Sequence, residues 1–346
     1  MSDLNKININ NFDFLRIVFA STVAFAHLIE LSEIQALEPY KIYFNTRLAI
    51  DGFFIISGFL IAKSYENSKT LKDYIIRRAK RIIPAYVVVI LLSAILFSFI
   101  STNSFSDYFS NSQFWNYLFA NLSFQNYLEP CLPGVLEANK ICAINGALWT
   151  IKIEEAFYLS VPIFYWFVRV KKLNFYLLIL IVYVLSVTYY SYFISIDNYR
   201  IAKQLPGALA FFATGIMFYK NVSLLSKWKD YIIIPCLLLF ILEQYVFQTQ
   251  LLKPIVFGFM VFYIAYSFKF LNHFGKYGDF TYGIYIYHFP IIQLFVSLGL
   301  FKTLHPVIVC TSVLMITLIL AVLSWHFIEI PYLSKNRRLR QKKLWS

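Results

Sequence analysis

Long apolar runs alternate with short polar segments along this chain of 346 residues. A helix needs about 20 apolar residues to cross a bilayer, and the pattern predicts about ten such spans. They lie near residues 12–31, 48–64, 82–101, 148–168, 173–194, 204–220, 231–247, 252–270, 281–300 and 305–328. The sequence therefore predicts an all-α polytopic integral membrane protein, with a transmembrane domain over residues 1–334 and a basic cytoplasmic tail over 335–346.

Composition supports this class and excludes an ordinary soluble domain. Hydrophobic residues make up 59% of the chain and charged residues 14%, too few charges for the surface of a globular protein of this size. The net charge of +13 does not indicate a nucleic-acid partner, because the basic residues lie in short loops beside apolar runs, where they orient a membrane protein.

The distribution of basic residues predicts the orientation. Most of them fall in loops on one side of the predicted membrane, at 63–81, 169–172, 220–229 and 269–276, and in the tail. The opposite side carries Lys41, Arg47, Lys140, Arg200, Lys203, Lys253 and Lys302. Because cytoplasmic loops are enriched in Lys and Arg, both termini are expected in the cytoplasm.

The longest predicted non-cytoplasmic segment, residues 102–147, is long enough to recognise a large substrate. It contains Cys131 and Cys142, which form either a disulfide in an oxidising compartment or two free thiols. The cysteines of the chain show no metal-binding spacing, so no metal site is expected.

The first predicted span carries ionisable residues that lipid would penalise. Arg16 and His27 are eleven residues apart, which places them on one helix face about 16 Å apart, and Asp13 lies one turn before Arg16. Histidine takes up a proton near neutral pH, and arginine suits an anionic ligand. The alternative for His27 is a hydrogen bond that only packs helices.

Acidic residues near the ends of spans have a simpler interpretation. For Glu30, Glu243 and Glu329 we expect carboxylates that reach the membrane interface rather than the protein interior.

Two further segments combine small or basic residues with apolar ones. Ser57 and Gly58, within FFIISGFLI, let a backbone or a ligand approach closely, and helix packing is the more common reason for such a pair. The segment RRAKRIIPAY at 77–86 either anchors the topology and contacts anionic lipid, or holds the phosphates of a nucleotide.

The fourth and ninth spans also carry candidate site residues. Glu154 lies near the start of the fourth span, where it could orient a histidine, bind a sugar hydroxyl or pair with Lys152. His288 lies just before Pro290 in the ninth span, in a run rich in tyrosine.

Taken in order, these motifs resemble the membrane-bound acyltransferase family 3, the O-acyltransferases that modify bacterial surface polysaccharides and related glycans. The resemblance runs nearly end to end. It rests on Asp13-Phe-Leu-Arg16 with ten residues before His27, FFIISGFLI at 53–61, Arg78-x-x-Arg81 followed by Ile82 and Pro84, Leu148-Trp149 with Glu154 and Phe157-Tyr158, and Tyr282-Gly283 to His288-Phe289-Pro290. Lys152 departs from the family pattern, in which this position is usually uncharged.

The resemblance implies roles for individual residues. His27 would be the catalytic base, and Arg16 would support it or the acyl donor. The remaining expected site residues are Glu154 as a catalytic group, Arg78, Arg81, Ser57 and Gly58 at the acyl donor, and Asp13, Trp149 and His288 in the central site or its support.

The expected function is transfer of an acyl group, as in an O-acetyltransferase, from cytoplasmic acetyl-CoA to a sugar hydroxyl. The acceptor would be a glycan such as O-antigen lipopolysaccharide or exopolysaccharide, or its undecaprenyl-linked precursor, at the bacterial inner membrane. Membrane lipid and glycan-assembly proteins are further expected partners. No appended soluble domain is expected. The alternative is a transporter or flippase for a lipid-linked sugar, since buried charges suit that function too.

Overall fold

A computed structural model describes residues 10–247 and 249–333, which contain helices and no strand. The longer helices are α1 (Phe12–Ser32), α2 (Thr46–Glu66), α3 (Leu71–Leu96), α5 (Ser112–Leu122), α6 (Trp149–Arg169), α7 (Phe175–Ser195), α9 (Leu205–Lys220), α10 (Val222–Leu242), α11 (Lys253–Ser267), α12 (Thr281–Ser297) and α14 (Pro306–Leu323). The short ones are α4 (Phe105–Ser110), α8 (Tyr199–Ala202) and α13 (Leu300–Thr303). The predicted helical class is therefore confirmed.

Seven helices of the described chain are long and apolar enough to cross a membrane. They are Phe12–Ser32, Gln35–Glu66, Leu71–Ile100, Phe175–Ser195, Tyr199–Lys220, Val222–Phe247 and Pro306–Tyr332. The other three predicted spans are helices as well, but α11 has 15 residues and α12 has 17, and α6 carries several charges in its first two turns. The protein is thus a multi-pass membrane protein, whereas ten spans and the orientation of the termini stay predictions.

The chain divides into two compact units, and three of the five boundaries fall within α1, α3 and α6, the others at the start of α2 and after Gly275. The first unit comprises residues 10–16, Arg47–Ile76 and Ile153–Gly275, and the second comprises Ile17–Thr46, Arg77–Lys152 and 276–333. The predicted tail, 335–346, lies outside the described residues.

In the first unit, α2 crosses α9 at a pair of glycines. A side chain at Gly58 would collide with the backbone carbonyl of Phe212, and one at Gly215 would collide with that of Ile55. Only glycine allows two helix backbones to approach this closely. Beside the crossing, the rings of Phe157 and Phe212 stack with their centroids 4.1 Å apart.

The second unit is held together by a buried arginine. Arg81 on α3 donates to Asp279 at 2.6 Å and to Glu329 at 2.8 Å, and its side chain is only 12% exposed. Asp279 precedes α12, and Glu329 ends the π-helical turn that follows α14. One guanidinium therefore links three parts of the unit.

Burial contradicts the expected interfacial position of two of the acidic residues. Glu329 is 2% exposed and Glu243 is 1% exposed, so the prediction that their carboxylates reach the membrane interface was wrong. Each is retained inside because it has polar partners there: Arg81 for Glu329, and the Thr249 hydroxyl for Glu243. Glu30 is exposed, as expected.

The long segment 102–147 belongs to the second unit and is folded. It contains α4 and α5, and the Tyr86 hydroxyl on α3 donates to the carbonyl of Asn121 at the end of α5. Cys131 and Cys142 form a disulfide within it, which decides between the alternatives left open by the sequence.

The disulfide gives a first testable prediction. Replacing Cys131 and Cys142 together by serine is expected to lower the free energy of unfolding by about 3 kcal/mol, because a crosslink over this short loop restricts the unfolded chain. Thermal unfolding of the purified protein checks this. The matched control is Cys310→Ser, which removes a free thiol, and an equal loss in the control would contradict the assigned role of the crosslink.

Candidate active site

Two histidines from distant parts of the sequence meet in the second unit. The Nδ1 atom of His27 on α1 lies 2.9 Å from the Nε2 atom of His288 on α12, and the two rings are nearly parallel with centroids 5.2 Å apart. His288 is 1% exposed, whereas His27 is only partly buried. The more accessible ring is therefore held by a fully enclosed one.

The hydrogen bonds assign the tautomers of both rings in their neutral form. The Nδ1 atom of His288 lies 3.0 Å from the carbonyl oxygen of Ile284, and a carbonyl oxygen only accepts, so this Nδ1 carries the proton. Nε2 of His288 then has a lone pair and accepts from Nδ1–H of His27. The lone pair of His27 is consequently on Nε2. A nitrogen with a lone pair is what a proton acceptor requires.

A proline two residues after His288 exposes a backbone carbonyl of α12. That carbonyl is bonded by the segment just before the fourth predicted span. Pro290 has no backbone N–H and leaves the carbonyl of Ile286, four residues earlier, without its helical partner. The side-chain amide of Asn145 donates to that carbonyl at 2.8 Å. The next residue, Gly146, must be small because a Cβ there would meet the ring of Phe289.

Additional polar residues fix the same helix on either side of His288. The hydroxyls of Thr150 and Tyr285 are 2.6 Å apart. Gln293, which is 1% exposed, donates to the carbonyls of Ile141 and Ala143. These supports were not predicted from the sequence, because isolated amides and hydroxyls in apolar runs give no periodic signal; the proline after His288 was the available clue for Asn145.

Arg16 and His27 lie on one continuous helix, α1, as predicted. In the first unit, the start of this helix is fixed by Asn11, whose side-chain amide donates to the carbonyls of Ile264 and Phe268 at the end of α11. The carboxylate of Asp13 lies against Gly275, where a Cβ would collide with it. Catalytic or supporting roles for Arg16 and Asp13 stay predictions.

Helix α6 carries the candidates of the fourth span. Trp149 is its first residue and is partly buried. The Glu154 carboxylate accepts a hydrogen bond of 2.6 Å from the hydroxyl of Tyr158, one turn later. The Lys152 ammonium lies 4.4 Å from the centroid of the Tyr127 ring, a cation–π contact. A catalytic role for Glu154 would therefore have to use a carboxylate that already accepts a hydrogen bond from the Tyr158 hydroxyl.

The residues expected at the acyl donor have different surroundings within their own units. Gly58 packs against the backbone of α9, which agrees with the helix-packing alternative for the Ser57-Gly58 pair. Arg81 is paired with two buried carboxylates, and Arg78 is partly exposed on the same helix. A contact with the phosphates of the donor stays a prediction for both. Ser57 is partly exposed on α2.

Together, the apolar helices and the histidine pair describe a multi-pass membrane protein with two imidazoles in contact inside one of its units. Residues 9–326 match the model of the acyltransferase domain family. The chain belongs to this family and is an acyltransferase that transfers groups other than amino-acyl groups. Family membership decides against the transporter alternative.

Relatives of known name support the same class. The chain is 28% identical to an O-acetyl transferase of Shigella phage Sf6, over 94% of this chain and 97% of that protein. It is 23% identical to nodulation protein 10 of Rhizobium leguminosarum bv. viciae, over 97% and 96%. It is 27% identical to the peptidoglycan O-acetyltransferase OatA of Listeria monocytogenes, over 82% of this chain and 51% of that protein. No solved structure matches the chain.

Proposed function

We propose that this protein acetylates a sugar hydroxyl of a cell-surface polysaccharide, or of its undecaprenyl-linked precursor, using cytoplasmic acetyl-CoA, with His27 as the general base. The observation that carries the proposal is the contact between His27 and His288, because it leaves Nε2 of a partly exposed imidazole ready to accept a proton. The names of the relatives from Shigella phage Sf6 and Listeria monocytogenes support O-acetylation as the reaction.

The proposed step is a direct transfer in which His27 moves one proton. Nε2 of His27 takes the proton of the sugar hydroxyl as its oxygen attacks the thioester carbonyl carbon. The carbon–oxygen bond forms and the carbon–sulfur bond breaks. The departing thiolate receives the proton from the imidazolium, so the products are the acetyl ester and the free thiol of coenzyme A.

The expected orientation would separate donor and acceptor. The distribution of basic residues predicts that segment 77–81 lies at the cytoplasmic face, where Arg78 would contact the phosphates of the donor. The disulfide between Cys131 and Cys142 is expected in an oxidising compartment, which supports a non-cytoplasmic position for residues 102–147 and cytoplasmic termini. In a bacterium these requirements are met at the inner membrane.

The proposed function is tested by mass spectrometry of the surface polysaccharide. Cells that express the protein are compared with cells that lack it and with cells that express His27→Ala at an equal level. We expect an acetyl-sized mass increment only with the unmodified chain. An unchanged polysaccharide in all three would refute the proposed acceptor, and an increment with His27→Ala would refute the role of His27.

His288 is expected to act as a positioning residue. Replacement by phenylalanine removes the acceptor for Nδ1–H of His27, and transfer should fall about 10- to 100-fold, as it does when a second group that orients a histidine is lost. His288→Gln supplies an amide oxygen in place of the accepting nitrogen and should recover part of the rate. Steady-state kinetics of the purified variants check this, with the KM for acetyl-CoA expected to stay unchanged. Transfer at the normal rate in His288→Phe, whose ring fills the same space, would show that His288 only packs.

A further inference from the structure

A cavity of about 310 Å³ lies in the first unit, apart from the residues assigned above. It is lined by Arg47 and Asp51 at the start of α2, Tyr190 on α7, Glu243 and Gln250 after α10, and Lys253 at the start of α11. We call it the polar cavity. Charged and amide groups this close to apolar helices are costly unless they are paired with one another or meet a ligand, since each group loses contact with water.

One wall of the polar cavity is a buried ion pair. Nε of Arg47 lies 3.0 Å from a carboxylate oxygen of Asp51, which is 1% exposed. The guanidinium also lies 5.2 Å from the centroid of the Tyr190 ring. Nε is the only nitrogen of Arg47 that donates to the described residues, so its terminal nitrogens are available as donors to a ligand.

Other residues of the lining supply both acceptors and a donor. One oxygen of Glu243 accepts from the Thr249 hydroxyl at 2.8 Å and from the backbone N–H of Leu252, which fixes the carboxylate and leaves its second oxygen. The amide oxygen of Gln250, a residue 3% exposed, is buried and has no hydrogen-bond partner in the described chain. The ammonium of Lys253 likewise makes no hydrogen bond or ion pair with the described residues.

These groups select the chemistry of the ligand. The lining is formally neutral, with two cations and two carboxylates, so an anion such as phosphate would meet Asp51 and Glu243, and a metal cation would meet Arg47 and Lys253. A hydroxyl donates one hydrogen bond and accepts others, and neighbouring hydroxyls can therefore bond a carboxylate and a cation at once. The volume is at the lower end of that of small-molecule sites, about 300–1,000 Å³, which suits a single ring.

We propose that the polar cavity binds one sugar residue of the acceptor through its ring hydroxyls. This inference rests on the proposed function, which supplies a glycan as the acceptor. It agrees with the expected orientation, because Arg47 and Lys253 both belong to the basic residues placed on the non-cytoplasmic side. The donors are then the Lys253 ammonium and the Arg47 guanidinium, and the acceptors are Glu243 and Gln250.

Saturation-transfer NMR on the purified full-length protein in detergent tests the proposal. The probes are the methyl glycosides of glucose, galactose and rhamnose, with inorganic phosphate and phosphoethanolamine as competitors.

Two variants remove ligand contacts with little expected effect on folding. Lys253→Met deletes an ammonium that makes no hydrogen bond within the part of the chain that the structure describes, and Glu243→Gln keeps the oxygen that accepts from Thr249 and Leu252. Lys302→Met, at an exposed lysine placed on the same predicted side of the membrane, is the matched control.

We expect at least one glycoside to bind the unmodified protein and Lys302→Met equally, and to bind each of the two cavity variants about tenfold more weakly, the effect of one hydrogen bond to a charged group. His27→Ala should bind it normally even though transfer is lost. This separates the two proposals, since transfer retained by His27→Ala would refute only the catalytic role. Glycoside binding that is unaffected in both cavity variants would overturn the inference. So would the absence of glycoside binding, or its displacement by phosphate or phosphoethanolamine at equal concentration.

Discussion

Replacing His27 by alanine is expected to lower acyl transfer by about 10²- to 10⁴-fold, the usual contribution of a positioned general base. The variant lacks the partly exposed ring of the histidine pair. The ring that remains, His288, is enclosed, and its Nδ1 atom donates to the carbonyl of Ile284. Because the His288 ring is enclosed, we do not expect it to replace His27 as the base. The loss of stability should be small, since the neutral His288 ring keeps its backbone partner and only its Nε2 atom loses a donor.

The measurement is release of free coenzyme A thiol by the purified protein with acetyl-CoA and an acceptor glycan. The matched control is His273→Ala, at an exposed histidine outside the helices, which should transfer at the normal rate. Membrane insertion and thermal unfolding are recorded for both variants. A His27→Ala protein that is folded and transfers at the normal rate would exclude His27 as the base.

Replacing Arg81 by alanine is expected to destabilise the protein by about 3–5 kcal/mol, because it leaves the buried carboxylates of Asp279 and Glu329 without their cation. We expect little folded protein after extraction into detergent. The family resemblance instead assigns Arg81 to the acyl donor, which predicts a folded protein with a raised KM for acetyl-CoA. The two roles therefore give different results for the same variant.

Arg78→Ala is the matched comparison, since Arg78 lies on the same helix and is more exposed. It should remain folded and raise the KM for acetyl-CoA if Arg78 contacts the phosphates. Size-exclusion profiles and thermal unfolding report folding, and kinetics with varied acetyl-CoA report donor binding. A stable Arg81→Ala protein with weakened donor binding would show that Arg81 serves the donor rather than the fold.

The apolar pattern was enough to predict the helices, because the length and composition of a run are local properties. All of the predicted spans correspond to helices, including the short second and sixth runs. The motifs were also enough to predict the family, which the match over residues 9–326 shows. Family membership required only the order and spacing of motifs such as Arg16-x10-His27, which the sequence states directly.

The roles of individual polar residues were less predictable. Glu329 and Glu243 were expected at the membrane interface, yet both are buried with partners far away in sequence or beyond a helix end. The sequence around Gly58 allows both a ligand contact and helix packing. Its close approach to Gly215 on α9 shows the packing role. Such choices depend on which helix faces the residue, and hydropathy contains no information about that.

The helical membrane class, the acyltransferase family and the choice of His27 as the candidate base all follow from patterns along the chain. The fold was needed to show that His288 is the partner of His27 and that Asn145 satisfies a carbonyl of α12. It was also needed to show that four charged residues from α2, from the turn after α10 and from α11 line one cavity. These contacts join residues from different helices, and the partner of a buried polar group is set by packing rather than by periodicity.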